Sequence, residues 1–308
     1  MNILITGPLG HIGSELIRNI SKIHNLKKVY LIDNARSNNI NVLFNLSRIK
    51  NKFIFIHDDL NDQKILNNIK DKIDIVVHLA SITNAEASFK IKKLLRENNI
   101  GIFKNVYNFC VKKKAKLIHL SSTSVYGTQS KLVDEECTSL KPQSPYAKVK
   151  LLEEKFLQKN RNKIKFITLR LGTIAGISVG MRFHTAVNKF CYNTILKKDV
   201  PIWNNAIDQY RPYLSLNDAI NVMIFIKNKK IFNNQIYNIL TGNYTVRQIL
   251  NIIKKNCYKI RIKKTKSPIL NQNSYKVSSK KFERFNFRSR RDLSSDIKNT
   301  LNLLKYLY

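Results

Sequence analysis

Paired cysteines, metal-ligand spacings, acidic residues and long apolar runs are what this 308-residue chain has least of. Its four cysteines, Cys110, Cys137, Cys191 and Cys257, lie far apart with no CxxC pair, which argues against a zinc ribbon or a disulfide framework and fits a reducing compartment. The six histidines also lack ligand spacing, so no metal site is expected. No uninterrupted apolar run approaches the roughly 20 residues that cross a bilayer, so no membrane span is expected. The first residues already read as a buried strand and a glycine loop, leaving no room for a cleavable leader, and a cytoplasmic protein is expected. No internal repeat or low-complexity linker is visible.

Acidic residues number 20 against 55 Lys plus Arg, a formal charge of +35 that attracts any polyanion. The excess is spread through Lys22, Lys27, Lys28, Lys90, Lys92, Lys93, Lys112 to Lys114, Lys197 and Lys198, beside abundant Asn and Ile. All three residue types have A/T-rich codons, so a biased genome explains such a surface without a polyanion partner. Nucleic acid is therefore not expected as the primary ligand, and no aromatic-interleaved RNA motif is visible. A basic RNA-binding protein on an enzyme-derived scaffold is kept as the alternative from another class.

What is present reads as an α/β protein. The length suits two domains at roughly 150 residues each, or one large unit. The run Ile3 to Ile5 leads into Thr6-Gly7-Pro8-Leu9-Gly10-His11-Ile12-Gly13, after which Ile12, Leu16, Ile17 and Ile20 recur at helical spacing. Further short apolar runs end in polar residues: Lys28 to Asp33, Phe53 to Asp59, Ile73 to His78, Leu117 to Leu120 and Phe166 to Leu169. Runs with so little polar alternation predict strands covered on both faces, hence a doubly wound parallel (Rossmann) sheet. Beyond Gly176 the pattern predicts a helix around Phe183 to Leu196, a strand near Pro201 to Trp203 and a helix around Leu216 to Ile226. A strand at Ile236 to Ile239 and a helix at Val246 to Lys254 follow. Lys259 to Arg291 reads as a basic irregular stretch, before a last helix at Ser294 to Leu307. Residues 1–173 with 215–244 are expected to form the dinucleotide-binding domain, and 174–214 with 245–308 a smaller mixed α/β substrate domain.

The GxxGxxG between strand and helix lets the backbone turn sharply, brings main-chain amides close to a pyrophosphate and allows tight helix packing. Asp33 ends the next strand twenty residues after Gly13. A carboxylate there accepts hydrogen bonds from both ribose hydroxyls and repels a 2′-phosphate, which favours NAD over NADP. Arg36, just after the strand, keeps the NADP alternative open. His11 lies among the loop glycines and has no partner in the sequence, which suits a packing residue.

Of thirteen tyrosines only Tyr146 has a lysine four positions on, Lys150. Ser144-Pro145 supplies an N-cap and a first-turn proline, so Tyr146 and Lys150 should share one helix face. A phenol of pKa about 10 needs neighbouring positive charge to act as a base near neutral pH; one cation lowers it by roughly 1 to 3 units, and an oxidised nicotinamide adds a second. Upstream, Leu120-Ser121-Ser122-Thr123-Ser124-Val125-Tyr126-Gly127 places hydroxyls at the carboxyl end of a strand, where ligands bind in open α/β sheets.

With these motifs the sequence resembles the extended short-chain dehydrogenase/reductase family, in particular its nucleotide-sugar epimerases and dehydratases, over nearly the whole chain. The glycine loop, Asp33, Asp59-Leu60, His78-Leu79-Ala80, Asn98 with Gly101, Ser121-Ser122 through Tyr126-Gly127, Tyr146 with Lys150, Arg170 and Arg211 through Asp218 carry the resemblance. It implies that Ser122 is the catalytic hydroxyl and Ser121 its support. Asp59 and Leu60 would flank the adenine, Leu79 and Ala80 would line the dinucleotide, and Asn98 would support the Tyr–Lys site through the backbone. The cofactor-binding candidates are thus Gly7, Gly10, His11, Ile12, Gly13, Asp33, Asn34, Asp59, Leu60, Leu79, Ala80, Ser81 and Asn98, with Tyr146 and Lys150. The substrate candidates are Thr83, Ser122, Thr123, Thr173, Arg182, Arg211 and Tyr275. Among these, Arg211 is implied to clamp the diphosphate of a nucleotide sugar, to which a planar guanidinium is suited.

Dehydratases of the family carry an acid pair after the catalytic hydroxyl, and its decarboxylases a glutamate two residues before the VYG tyrosine; this chain has Thr123 and Ser124. Hydride transfer at a sugar carbinol remains. The expectation is an NAD-dependent nucleotide-sugar epimerase working through a keto sugar in surface-glycan precursor synthesis, as a homodimer joined by helices including 98–112 and 146–157. An NAD(P)H-dependent reductase of a keto nucleotide sugar is the runner-up. His184 is a candidate proton donor for it or for a 3,5-epimerising enzyme, against the plainer reading of a helix-borne core or rim histidine. Arg170-Leu171-Gly172-Thr173 stands where family members often have Arg-x-x-Asn, which leaves the sugar contacts unspecified.

Overall fold

Short unbroken runs of Ile, Leu, Val and Phe become strands here because each is covered on both faces. The computed structural model describes residues 1–46, 52–256, 259–266, 274–289 and 292–306. Strand β1 (Asn2–Thr6) runs through the glycine loop into α1 (His11–Arg18). Next come β2 (Lys28–Asp33), β3 (Lys52–His57), α2 (Gln63–Asn67), β4 (Ile75–His78), α3 (Lys92–Lys113) and β5 (Lys116–Ser122). A two-residue strand, β6 (Leu132–Val133), precedes α4 (Pro145–Lys159), β7 (Phe166–Leu171) and β8 (Thr173–Ala175). The chain continues through α5 (Ala186–Ile195), β9 (Val200–Trp203), β10 (Tyr210–Ser215), α6 (Leu216–Lys229), β11 (Gln235–Ile239) and β12 (Gly242–Thr245). It closes with α7 (Val246–Asn256), β13 (Ile262–Thr265), β14 (Lys276–Val277), α8 (Lys280–Glu283) and α9 (Leu293–Lys305).

The main sheet has seven strands in the order β11-β7-β5-β4-β1-β2-β3, every pair parallel. In register, Ile5 of β1 stands between Leu31 of β2 and Val77 of β4. The strand order reverses between β1 and β4, so a crevice opens at their carboxyl ends, the place where open α/β sheets bind ligands. Alternating side chains sort the core: Ile3 and Ile5 join Leu16, Ile17 and Ile220 on one face, while Leu4 joins Val76, Phe103 and Leu157 on the other. Each such fully buried aliphatic group contributes about 1.5 to 3 kcal/mol.

A three-stranded sheet, β12-β10-β8, and a separate apolar cluster of Val187, Cys191, Ile249, Ile253, Ile297 and Leu301 lie along α5, α7 and α9. The segment read as irregular, Lys259 to Arg291, instead contains β13, which pairs with β9, as well as β14, paired with β6, and α8. Such strands are too short and too lysine-rich to show alternation, and their partners are remote in sequence. Helix α5 starts three residues later than expected, after Thr185. The last helix ends at Lys305; Leu307 and Cys257 lie outside the described residues. Among the described residues no helix is long and apolar enough to cross a membrane, and no three His, Cys, Asp or Glu converge as metal ligands.

Candidate active site

The loop from β1 to α1 is closed by contact. Gly7 has φ +70°, and a Cβ there would lie 2.7 Å from the Ala80 amide nitrogen; one on Gly13 would lie 2.3 Å from the Gly7 carbonyl oxygen. Gly10 caps α1 without a side chain, which leaves the first-turn N–H groups open to an anion. A side chain at Gly10 would point toward Arg182, whose Nη2 is 3.3 Å from the would-be Cβ.

Two joined cavities extend from this loop. The smaller, about 140 Å³, is lined by Asp33, Asn34, Asp59, Leu60, Ala80 and Asn98 among others. The larger, about 570 Å³, holds His11, Ile12, Gly13, Thr83, Ser122, Tyr146, Lys150, Thr173, Arg211 and Tyr275 on its walls. Gly7, Gly10, Leu79, Ser81 and Arg182 line both. Asp33 accepts from the backbone N–H of Leu9 (3.1 Å) and Ala35 (2.9 Å), which fixes its carboxylate at the end of β2, although burial pushes its pKa up from the usual value. Arg36, the residue that kept NADP open, pairs with Asp59 at 3.2 Å. With Asp58 also on this wall, three carboxylates surround the place of an adenosine ribose.

At the centre of the larger cavity, Ser144 Oγ accepts from the Ala147 N–H (3.1 Å) and Pro145 occupies the first turn, so α4 begins one residue before Tyr146. Lys150 Nζ lies 6.0 Å from the centroid of the Tyr146 ring. Burial raises the pKa of the Tyr146 phenol; Lys150 and Arg182 pull it down, and Glu153 pushes it up. Ser122 Oγ accepts from the Ser124 N–H (3.2 Å) and the Ser124 hydroxyl (2.8 Å), so its own O–H is left to donate into the cavity. Thr6 Oγ1 accepts from the N–H groups of Leu79 (3.1 Å) and Ala80 (3.2 Å) and must donate to His78 Nδ1 (2.8 Å). His78 is therefore the Nε2–H tautomer, and burial lowers its pKa to about 3.

Two expectations, for Thr123 and His184, need correction. Thr123 is not on a cavity wall: it is buried, its hydroxyl donating to the Leu171 carbonyl at 3.3 Å, and Ser124 lines the cavity in its stead. Asn98 lines the smaller cavity, where its side chain pairs with Asn61 (3.2 Å) and Asn99 (3.2 Å). His184 is not helix-borne; it sits exposed in the bend before α5, on the rim of the larger cavity. His11, read as a packing residue, is buried as expected but has a partner, its Nε2 meeting the Gly176 carbonyl at 3.0 Å. Sequence reasoning also missed Glu153, His119 and Lys189. Only Glu153 had a legible signal, its i, i+3 spacing from Lys150 on a helix.

The geometry fits a dinucleotide. Uncapped helical amides face the diphosphate position, carboxylates surround the adenosine ribose, and the Tyr–Lys pair stands on the wall of the adjoining cavity. Comparisons with known proteins agree. The model of the NAD dependent epimerase/dehydratase family matches residues 3–239. The dTDP-D-glucose 4,6-dehydratase of Dictyostelium discoideum is 30% identical over 258 residues, 78% of this chain and 58% of that protein. The ADP-L-glycero-D-manno-heptose-6-epimerase of Fusobacterium nucleatum is 27% identical over 261 residues, 78% of this chain and 75% of that protein. Among solved structures, UDP-glucuronic acid 4-epimerase from Bacillus cereus, in complex with UDP-glucuronic acid and NAD, superposes with a TM-score of 0.87 at 25% identity, with all of both chains covered.

Proposed function

The chain belongs to the NAD-dependent epimerase/dehydratase family, and we propose that within it this enzyme inverts one carbon of a nucleotide-diphosphate sugar. NAD, when bound, would supply a two-electron acceptor that a sugar carbinol can reduce and the resulting ketone can re-oxidise, together with a positive charge beside the phenol. Tyr146 removes the proton of the sugar hydroxyl as the carbon is oxidised and returns it when the carbonyl is reduced. Ser122, its lone pairs occupied by Ser124, donates its O–H to the same oxygen in both directions. Lys150 holds positive charge under the phenol.

Arg211, stacked 5.2 Å over the Tyr275 ring, and Arg182 grip the diphosphate. Lys150, Lys189, Arg182, Arg211 and Lys266 stand on the walls of the larger cavity against a single carboxylate among the described lining residues, the exposed Glu86, a balance suited to a dianionic ligand. While the diphosphate is held, the keto sugar turns to present its other face. Residues 1–173 with 215–244 would carry the coenzyme and the remainder the sugar nucleotide, in the service of surface-glycan precursors.

The observation that carries this reading is half-buried Tyr146 with buried Lys150 on the same cavity wall as Ser122, with no carboxyl group following that serine, as elimination of water would need. The test is incubation of the NAD-loaded protein with a panel of UDP-, GDP-, CDP- and ADP-sugars, followed by NMR. Epimer peaks without added coenzyme are expected. Dehydrated product, or turnover of a keto nucleotide sugar only with stoichiometric NADH consumption, would contradict it.

A further inference from the structure

The ammonium that this mechanism needs beside Tyr146 is already paired. Lys150 Nζ donates to Glu153 Oε2 at 2.8 Å, and the same oxygen meets His119 Nε2 at 2.9 Å. His119 in turn contacts Thr168 Oγ1 through Nδ1 at 3.3 Å. The three side chains are no more than 5% exposed, so water does not screen them. A carboxylate in this place opposes the lysine, because positive charge near a phenol favours the phenolate and negative charge disfavours it. Were Glu153 needed only to fill the space beneath α4, an apolar side chain would do so with less desolvation, as Val149 and Leu157 do on the same helix.

Other charges around the phenol are accounted for. α4 contributes Tyr146, Lys150, Glu153 and Glu154; β4 contributes His78 in its neutral form; β5 contributes His119. β7 contributes Arg170, whose guanidinium is matched by Glu154 at 2.7 Å. From α3 the contact is through rings, Phe103 lying 5.4 Å from His119 and 5.6 Å from Phe156. Arg182, in the segment before α5, bonds to the Thr83 hydroxyl. The buried Lys150–Glu153 pair therefore stands beside the phenol, with Arg182 as the further charge that acts on it, while the Arg170–Glu154 pair lies against the Tyr126 ring.

We infer that Glu153 is a positioning residue, which fixes the Lys150 ammonium and offsets its charge so that Tyr146 stays protonated until oxidised coenzyme is in place. His119 holds the carboxylate in turn. The inference rests on Tyr146 being the base. An isolated Lys150 would arm the phenol in every state of the protein; a balanced one leaves the decision to the next positive charge that arrives.

Phenolate absorbance of the NAD-loaded protein, titrated against pH and corrected by subtracting Tyr146→Phe, isolates this one tyrosine. Glu153→Gln keeps the shape and removes the charge, and should move the transition down by about 1 unit. Removal of a nearby negative charge makes loss of a proton easier whichever member of the Tyr–Lys pair releases it, so the sign does not depend on the assignment. Glu153→Asp keeps the charge and should titrate near the wild type. Glu153→Met also removes the charge and gives the same downward shift, should the Gln variant fail to fold. A transition that stays in place or rises in the charge-removing variants would overturn the inference. Failure of the base itself shows separately, as undiminished turnover in Tyr146→Phe.

Discussion

His11 illustrates how a residue's neighbours set its chemistry. Enclosed by the glycine loop and bonded to the Gly176 carbonyl, it is pushed by burial down to about 4, so it is neutral in the fold at neutral pH. In the unfolded chain it would titrate near 6.5. Between those values the unfolded state binds the additional proton, so stability falls as pH drops from about 6.5 to about 4 and is flat above that window. Denaturation midpoints measured across this range should show the fall. His11→Gln, which keeps a donor for Gly176 and cannot be protonated, should flatten part of it; equal slopes in both proteins would count against the assignment. Tyr146 and Lys150 were legible in the sequence because both lie on one helix, four positions apart. His119 was not, since its partner Glu153 sits 34 positions away on another element.

At the scale of elements, the Rossmann strands were legible from their unbroken apolar runs, and the start of α4 from Ser144-Pro145. What the sequence hid were pairings: β11 beside β7, and β13 beside β9, where residues 62 positions apart meet. Side-chain direction was equally hidden, and it decides that Ser124 rather than Thr123 faces the cavity. The cap on α4 does two things, satisfying an amide and fixing the turn that carries Tyr146. Ser144→Ala should cost about 1 kcal/mol of stability in a denaturant titration. It should also lower turnover more than NAD affinity, because the glycine loop is untouched. Equal losses in the two would mean that the cap acts only on global stability.

For the whole molecule, the charge of +35 and the family assignment point in different directions. A phenol, a hydroxyl and a lysine gathered in one cavity answer a chemical need that RNA binding does not have, whereas the lysines are scattered over the chain. A homodimer through α3 and α4 is expected, since Leu94 on α3 and Leu152 on α4 are 54% and 43% exposed. Basic subunits repel each other at low ionic strength, so sedimentation should show association strengthening with salt. Leu152→Lys should leave a monomer that still binds NAD. A monomer at every ionic strength would refute the dimer.

Turnover and NAD content of Tyr146→Phe probe the proposed chemistry most directly, because the change removes one oxygen atom from the cavity wall and leaves the ring, the lysine and the glycine loop in place. The variant should retain its NAD and its fold while losing measurable epimerisation of any nucleotide sugar that the wild type converts. Conversion at the wild-type rate with NAD still bound would show that the proton goes elsewhere.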